Sequence, residues 1–301
     1  MPVWCLLHGD GTGRRSVHPT SVAGGGRVGT GHGRASPDWL ALRERADAAA
    51  RAPELVEQVR SHLPGRGLVV HDLGCGTGSM ARWLAPQLAG PQHWVMVDRD
   101  AELLRVAATS ALGPAADGSA VTAERRQRDI TRLAPEELRR AGLITASALL
   151  DMLTDEELSR LVVSCAAARC PVLITLSVTG HVDLLPCDPF DEVVREAFNG
   201  HQRRRLIGGQ RLLGPDAVDA AVDWFHRAGL EVLLRLSPWR LGPDEHQLQT
   251  QWFTGWLGAA CERSPGLAAQ ASAYAERRLA DAAAGRLRVT VHHQDLLVLP
   301  R

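Results

Sequence analysis

The chain has 301 residues, 45% of them hydrophobic, enough to bury a full core in one large domain with additions or in two small ones. Its 34 basic and 34 acidic residues cancel, which argues against a dedicated nucleic-acid binder, whose affinity rests on a basic excess. No lysine occurs, so every basic residue is an arginine and Schiff-base or lysine-base chemistry is excluded.

The six cysteines form no C-x-x-C pair and show no zinc spacing, so they are expected as reduced thiols and no metal is expected. No apolar run is long enough to span a bilayer, and Met1 to Leu7 lacks the basic flank of a signal peptide. The cytoplasm is the expected location.

Residues 1–36 are rich in Gly, Ser, Thr, His and Arg and poor in apolar residues, which predicts a mobile tail. Order is expected from Ser36-Pro37-Asp38, a cap followed by proline in the first turn. Residues 39–63 read as helix, broken at Pro53, and Pro64 to Gly67 as a turn.

Strands and helices then alternate. Strands are predicted at 68–73, 93–97, 121–128, 142–148 and 171–178, with helices at 79–88, 101–111, 135–141 and 155–168 between them. The third strand is the most polar and belongs near an edge. Residues 180–214 break the rhythm and read as an inserted lid, holding Pro186, Pro189, a helical stretch and Arg203-Arg204-Arg205. A helix at 215–228, a strand at 230–236, helices within an addition at 243–285 and a last strand at 286–299 complete the chain. The expected fold is α/β: a doubly wound, mostly parallel, seven-stranded sheet, with a helical lid and C-terminal helical additions, all within one domain over 37–301.

The chemistry concentrates after the first strand, in His71-Asp72-Leu73-Gly74-Cys75-Gly76-Thr77-Gly78. Glycines at alternate positions let bare peptide groups approach a ligand at the carboxyl end of a strand. Asp98 closes the next strand, twenty residues after Gly78, where an acid accepts ribose hydroxyls. Dinucleotide folds favour G-x-G-x-x-G and a pyrophosphate. Here the spacing is G-x-G-x-G behind an acid, which suits a cation such as S-adenosyl-L-methionine and repels a pyrophosphate.

His71 to Gly78 together with Asp98 resembles the first motif and the following acidic position of class I, Rossmann-like S-adenosylmethionine-dependent methyltransferases, over roughly residues 39–236. The resemblance implies that Gly74, Cys75, Gly76 and Gly78 line the methionine and ribose part of the cofactor, and that Asp72 holds the loop and the ammonium side. It implies that Asp98 grips the ribose, with Arg99 beside the adenine and Asp129-Ile130 at the adenine corner. Ser147, leaving the fourth strand, would face the methionine moiety, and Arg43 would pair with the cofactor carboxylate. Each also has a plain structural reading: a turn, a loop acid, a solvated helix face, a small residue at a crowded strand end.

Methyl transfer from a sulfonium is an in-line displacement, in which alignment and water exclusion supply much of the acceleration. A base is needed only if the nucleophile must lose a proton early. The expected positions for one are Asp151, after the fourth strand, and His181, after the fifth. Ala148 to Leu153 departs from the histidine-bearing pattern of many small-molecule methyltransferases, so Asp151 stands without a histidine beside it. Neither Asn-Pro-Pro-Tyr nor Asp-Pro-Pro-Tyr occurs; the family resemblance ties such motifs to amino-methylation of nucleobases, and so implies a small-molecule acceptor here. The competing readings are an RNA-modifying methyltransferase, a nicotinamide-dependent oxidoreductase and a non-catalytic Rossmann-like nucleoside-binding module. The acceptor and the oligomeric state are not legible.

Overall fold

A computed structural model describes residues 35–63 and 67–300. Most of the expected N-terminal tail and the turn at Pro64 therefore lie outside the described residues.

The chain enters through α1 (Pro37–Ala50), whose start is set by Ser36: its hydroxyl accepts from the Trp39 amide at 3.2 Å, with Pro37 in the first turn. Helix α2 (Pro53–Ser61) follows, so the break falls before Pro53 as expected. The alternating region gives β1 (Leu68–Leu73), α3 (Ser79–Leu84), β2 (Gln92–Asp98), α4 (Ala101–Thr109), β3 (Val121–Gln127), α5 (Pro135–Leu138), β4 (Leu143–Ser147), α6 (Asp155–Ala168) and β5 (Val172–Leu185). After it come α7 (Phe190–Gln202), α8 (Ala217–Arg227), β6 (Glu231–Leu236), β7 (Trp239–Leu241), α9 (His246–Arg263), α10 (Ala268–Ala283) and β8 (Arg288–Leu299).

The sheet order is β3-β2-β1-β4-β5-β8-β6. β3 through β5 are parallel, and β8 runs antiparallel between β5 and β6. Residue alternation explains why both faces are covered. Ile144, Ile174 and Leu296 point into a core with α6 and α8, while their neighbours Leu143, Leu173 and Leu297 point into a core with α2 and α3. β3 is the polar edge that its sequence predicts.

Two expectations are corrected. Among the described residues the sheet has eight strands rather than seven, because β7 also pairs with β8. β6 and β7 lie along one edge of β8, interrupted at Pro238, which has no amide to donate. The presumed lid at 180–214 divides. Residues 180–185 complete β5, which runs past its expected end through the second of its two bulges. α7 then packs with α9, α10, β7 and the start of β8 in a third core around Trp252, Phe253, Trp256 and Tyr274. Among the described residues no helix is long and apolar enough to cross a membrane.

Candidate active site

The carboxyl ends of β1, β2 and β4 open onto a cavity of about 510 Å³. Its floor is the turn after β1. Gly74 and Gly76 sit at φ of 66° and 55°, the left-handed region that side chains resist. A Cβ on Gly74 would lie 3.1 Å from Leu149 Cδ1, and one on Gly76 would lie 3.2 Å from Leu40 Cδ1. The turn is therefore bare because apolar walls close on it from both sides.

Asp98 at the end of β2 fixes the turn. Its Oδ2 accepts from the Gly76 amide at 2.9 Å and its Oδ1 from the Asp100 amide at 2.8 Å. Burial pushes this carboxyl up, and the two backbone donors oppose the shift.

Asp72 lies two residues before the turn, opposite Thr145 of β4. The Thr145 hydroxyl donates to its Oδ1 at 2.8 Å, whereas Oδ2 is buried with no hydrogen-bond partner. Burial pushes the Asp72 carboxyl up to about 7, with Thr145 and the Arg51 guanidinium pulling the other way. Arg51, also buried, donates from Nη2 to Ser147 Oγ at 3.2 Å, and its Nη1 has no partner. Ser147 Oγ accepts from Thr175 Oγ1 as well, at 3.0 Å.

The walls come from distant segments. On α1, Arg43 and Asp47 form an ion pair at 2.9 Å, Asp47 accepts from Trp239 Nε1, and the Arg43 guanidinium stands 4.9 Å from the Trp239 ring centroid. At the other end Asp129 caps a short turn, accepting from the Thr131 amide and hydroxyl. A hairpin from Arg204 to Leu212 overhangs the mouth with Leu206 and Ile207. It is closed by the Leu206 amide on Gln210 O and the Leu212 amide on Arg204 O.

Of the sequence-predicted positions, Arg43, Asp72, Gly74, Cys75, Gly76, Asp98, Arg99, Asp129, Ile130 and Ser147 all border this one cavity. Three are placed elsewhere. Gly78 caps the start of α3, facing Arg82, Met96 and Ala107, and does not line the cavity. Asp151 stands in the turn Leu150–Met152 and is also outside the lining, although Leu149, Met152 and Leu153 around it belong to it. Burial pushes the Asp151 carboxyl up to about 6. His181 is exposed on the extended half of β5, since the strand does not stop at Val178 but carries the histidine past the mouth. Sequence reasoning missed Thr145, Arg51 and Leu40, whereas the hairpin falls within the segment 180–214 expected as a lid. No local pattern marks the missed residues: Thr145 meets Asp72 only through strand pairing, and Arg51 meets Ser147 across the sheet edge.

A bare turn beneath an acid with an unpartnered buried oxygen fits a cation, and Asp98 and Asp129 above it fit a nucleoside. The fold is of the doubly wound, Rossmann-like class. Residues 70–171 match the family model described as a methyltransferase domain, spanning β1 to the threshold of β5 and the whole glycine turn. Over that stretch, about a third of its length, the chain is similar to a methyltransferase domain.

Solved structures of similar fold include a methyltransferase from Geobacter sulfurreducens in complex with S-adenosyl-L-homocysteine (16% identity, 88% of this chain and 99% of that one, TM-score 0.42). Another is the magnesium protoporphyrin IX methyltransferase from Synechocystis, with S-adenosylhomocysteine bound (18% identity, 69% and 83%, TM-score 0.41). A third is a mycolic acid cyclopropane synthase (12% identity, 81% and 83%, TM-score 0.41). No curated protein sequence matches the chain.

Proposed function

We propose that the chain transfers a methyl group from S-adenosylmethionine to a small-molecule acceptor. The observation that carries this reading is the Asp72 carboxylate oxygen, buried beside the glycine turn and without a hydrogen-bond partner.

The cofactor supplies an activated methyl on a cationic sulfur. In this reading Asp72 faces its positive amino-acid end. Gly74 and Gly76 bring the backbone against it, and Asp98 takes the ribose hydroxyls with the lone pairs that the Gly76 and Asp100 amides leave open. Asp129 and Ile130 form the adenine corner. Ser147, held by Arg51, presents a hydroxyl to the carboxylate end, and this role falls to the Arg51–Ser147 pair because Arg43 is already bound to Asp47.

The acceptor enters beside Trp39, Leu40 and Met152, under Leu206 and Ile207, where apolar side chains exclude water from the displacement. A recess of about 510 Å³ suits a small molecule, and the chain's cancelled charge gives nucleic acid no electrostatic footprint.

Calorimetry with S-adenosylmethionine, S-adenosylhomocysteine and NADH tests the cofactor, and release of S-adenosylhomocysteine across an acceptor library tests turnover. Binding of the first two, lost in Gly76→Val, is the expected result. Binding of NADH alone would overturn the reading. A cofactor held but never turned over would favour the non-catalytic module.

A further inference from the structure

Beyond the sheet's carboxyl edge, β5 and β8 continue together with Val182 opposite Val291 and Asp183 opposite Thr290, and β7 pairs along the other side of β8. Side chains alternate across these strands. Leu184, Val289 and Val291 point into the core shared with α7, α9 and α10. The opposite face carries His181, Asp183 and His292, which methyl transfer does not use and which do not border the cavity.

These three are brought together by the bulge between Val178 and Val182, which sets His181 beside His292 with ring centroids 5.1 Å apart. The Asp183 carboxylate lies between the imidazoles: Oδ2 is 2.7 Å from His292 Nε2 and Oδ1 is 3.8 Å from His181 Nε2. One ligand atom from each residue lies within 4.8 Å of the other two.

We propose that His181, Asp183 and His292 bind a divalent transition-metal ion such as Zn²⁺, clasping β5 to β8 outside the methyltransferase cavity. Two imidazole nitrogens and a carboxylate oxygen are a donor set for Zn²⁺ or Co²⁺, and three protein ligands on one face leave the remaining positions to water. The paired strands hold the Cα positions, and the exposed His181 and Asp183 side chains have room to close on the half-buried His292 to bonding distance.

One neighbour opposes the metal. Arg195 of α7 donates from Nη1 to His181 Nδ1 at 2.6 Å, which leaves the ring proton on Nε2. Capture through Nε2 requires that proton to move to Nδ1 and the guanidinium to turn fully to Glu192, its other partner. Arg195 and the metal therefore compete for His181.

The test is calorimetric titration of the full chain with Zn²⁺ and visible spectroscopy with Co²⁺, with circular dichroism to show that each variant folds. One equivalent is expected to bind. His181→Gln and His292→Gln each weaken it at least about tenfold, as loss of even an outer partner does. Arg195→Met tightens it, and cobalt gives d–d bands without thiolate charge transfer. Affinity unchanged in both histidine variants, or a thiolate-to-cobalt band, would overturn the site by placing the metal elsewhere. Unchanged or weaker binding in Arg195→Met would remove His181 from the ligand set and overturn it as well.

Discussion

Asp72 concentrates the electrostatics of the pocket in one side chain. In the unfolded chain its carboxyl ionises near about 4, whereas in the fold burial pushes it up to about 7. Between those values the unfolded state holds fewer protons, so this residue's contribution to stability falls as pH rises through the window and is lost above about 7. A cation placed against Oδ2 favours the ionised form. Cofactor binding at about pH 6 is therefore expected to release a proton, measured by calorimetry in buffers of different ionisation enthalpy. Asp72→Asn is expected to abolish that release and to weaken binding by about tenfold or more. The residues of this corner were legible where their roles are local. Alternate glycines behind an acid state a backbone geometry within a few positions. Arg51 was not legible, because its meaning comes from Ser147 and Thr175, which lie far along the chain and reach it only when β4 and β5 align.

Among elements, the hairpin from Arg204 to Leu212 is largely exposed along Arg205 to Arg211 and borders the cavity. Ile207 is 97% exposed and yet borders the mouth. Ile207→Ser is expected to leave unfolding within about 0.5 kcal/mol of the parent, as surface changes do, while raising KM for the acceptor. Thermal melts beside steady-state kinetics separate the two. The element behind it behaves oppositely. Thr154 and Glu157 form a reciprocal cap at the start of α6, with the Glu157 amide on Thr154 Oγ1 and the Thr154 amide on Glu157 Oε2. Thr154→Ala should cost about 1 kcal/mol in urea unfolding. The capped helices were readable in advance to within a residue or two. β5 was not: Gly180 and the polar run around it read as a strand's end, and only the bulged pairing with β8 keeps the strand going. The misplacement of His181 follows from that one boundary.

At the scale of the whole molecule, Asp295 joins three parts of the fold. Its Oδ2 accepts from the Ala52 amide at the start of α2, and its Oδ1 accepts from the Leu176 amide in the first bulge of β5, each at 2.8 Å. Leu176 holds φ of 57°, a strained conformation for a branched residue that this bond offsets. Asp295→Ala leaves two buried amides without an acceptor and is expected to cost about 3 kcal/mol by denaturant titration, near the upper range for one substitution. The doubly wound class followed from strand–helix alternation. The place of each later strand did not, since polarity alone does not say between which neighbours a strand inserts.

β8 contributes the last consequence. It is the final described strand in the chain, and it fills an interior slot between β5 and β6. A polypeptide emerging from the ribosome thus carries two open, apolar strand edges until residues 288–299 clear the exit tunnel. Any product cut short before Arg288 keeps that gap permanently, and should be recovered in the insoluble fraction or bound to chaperones.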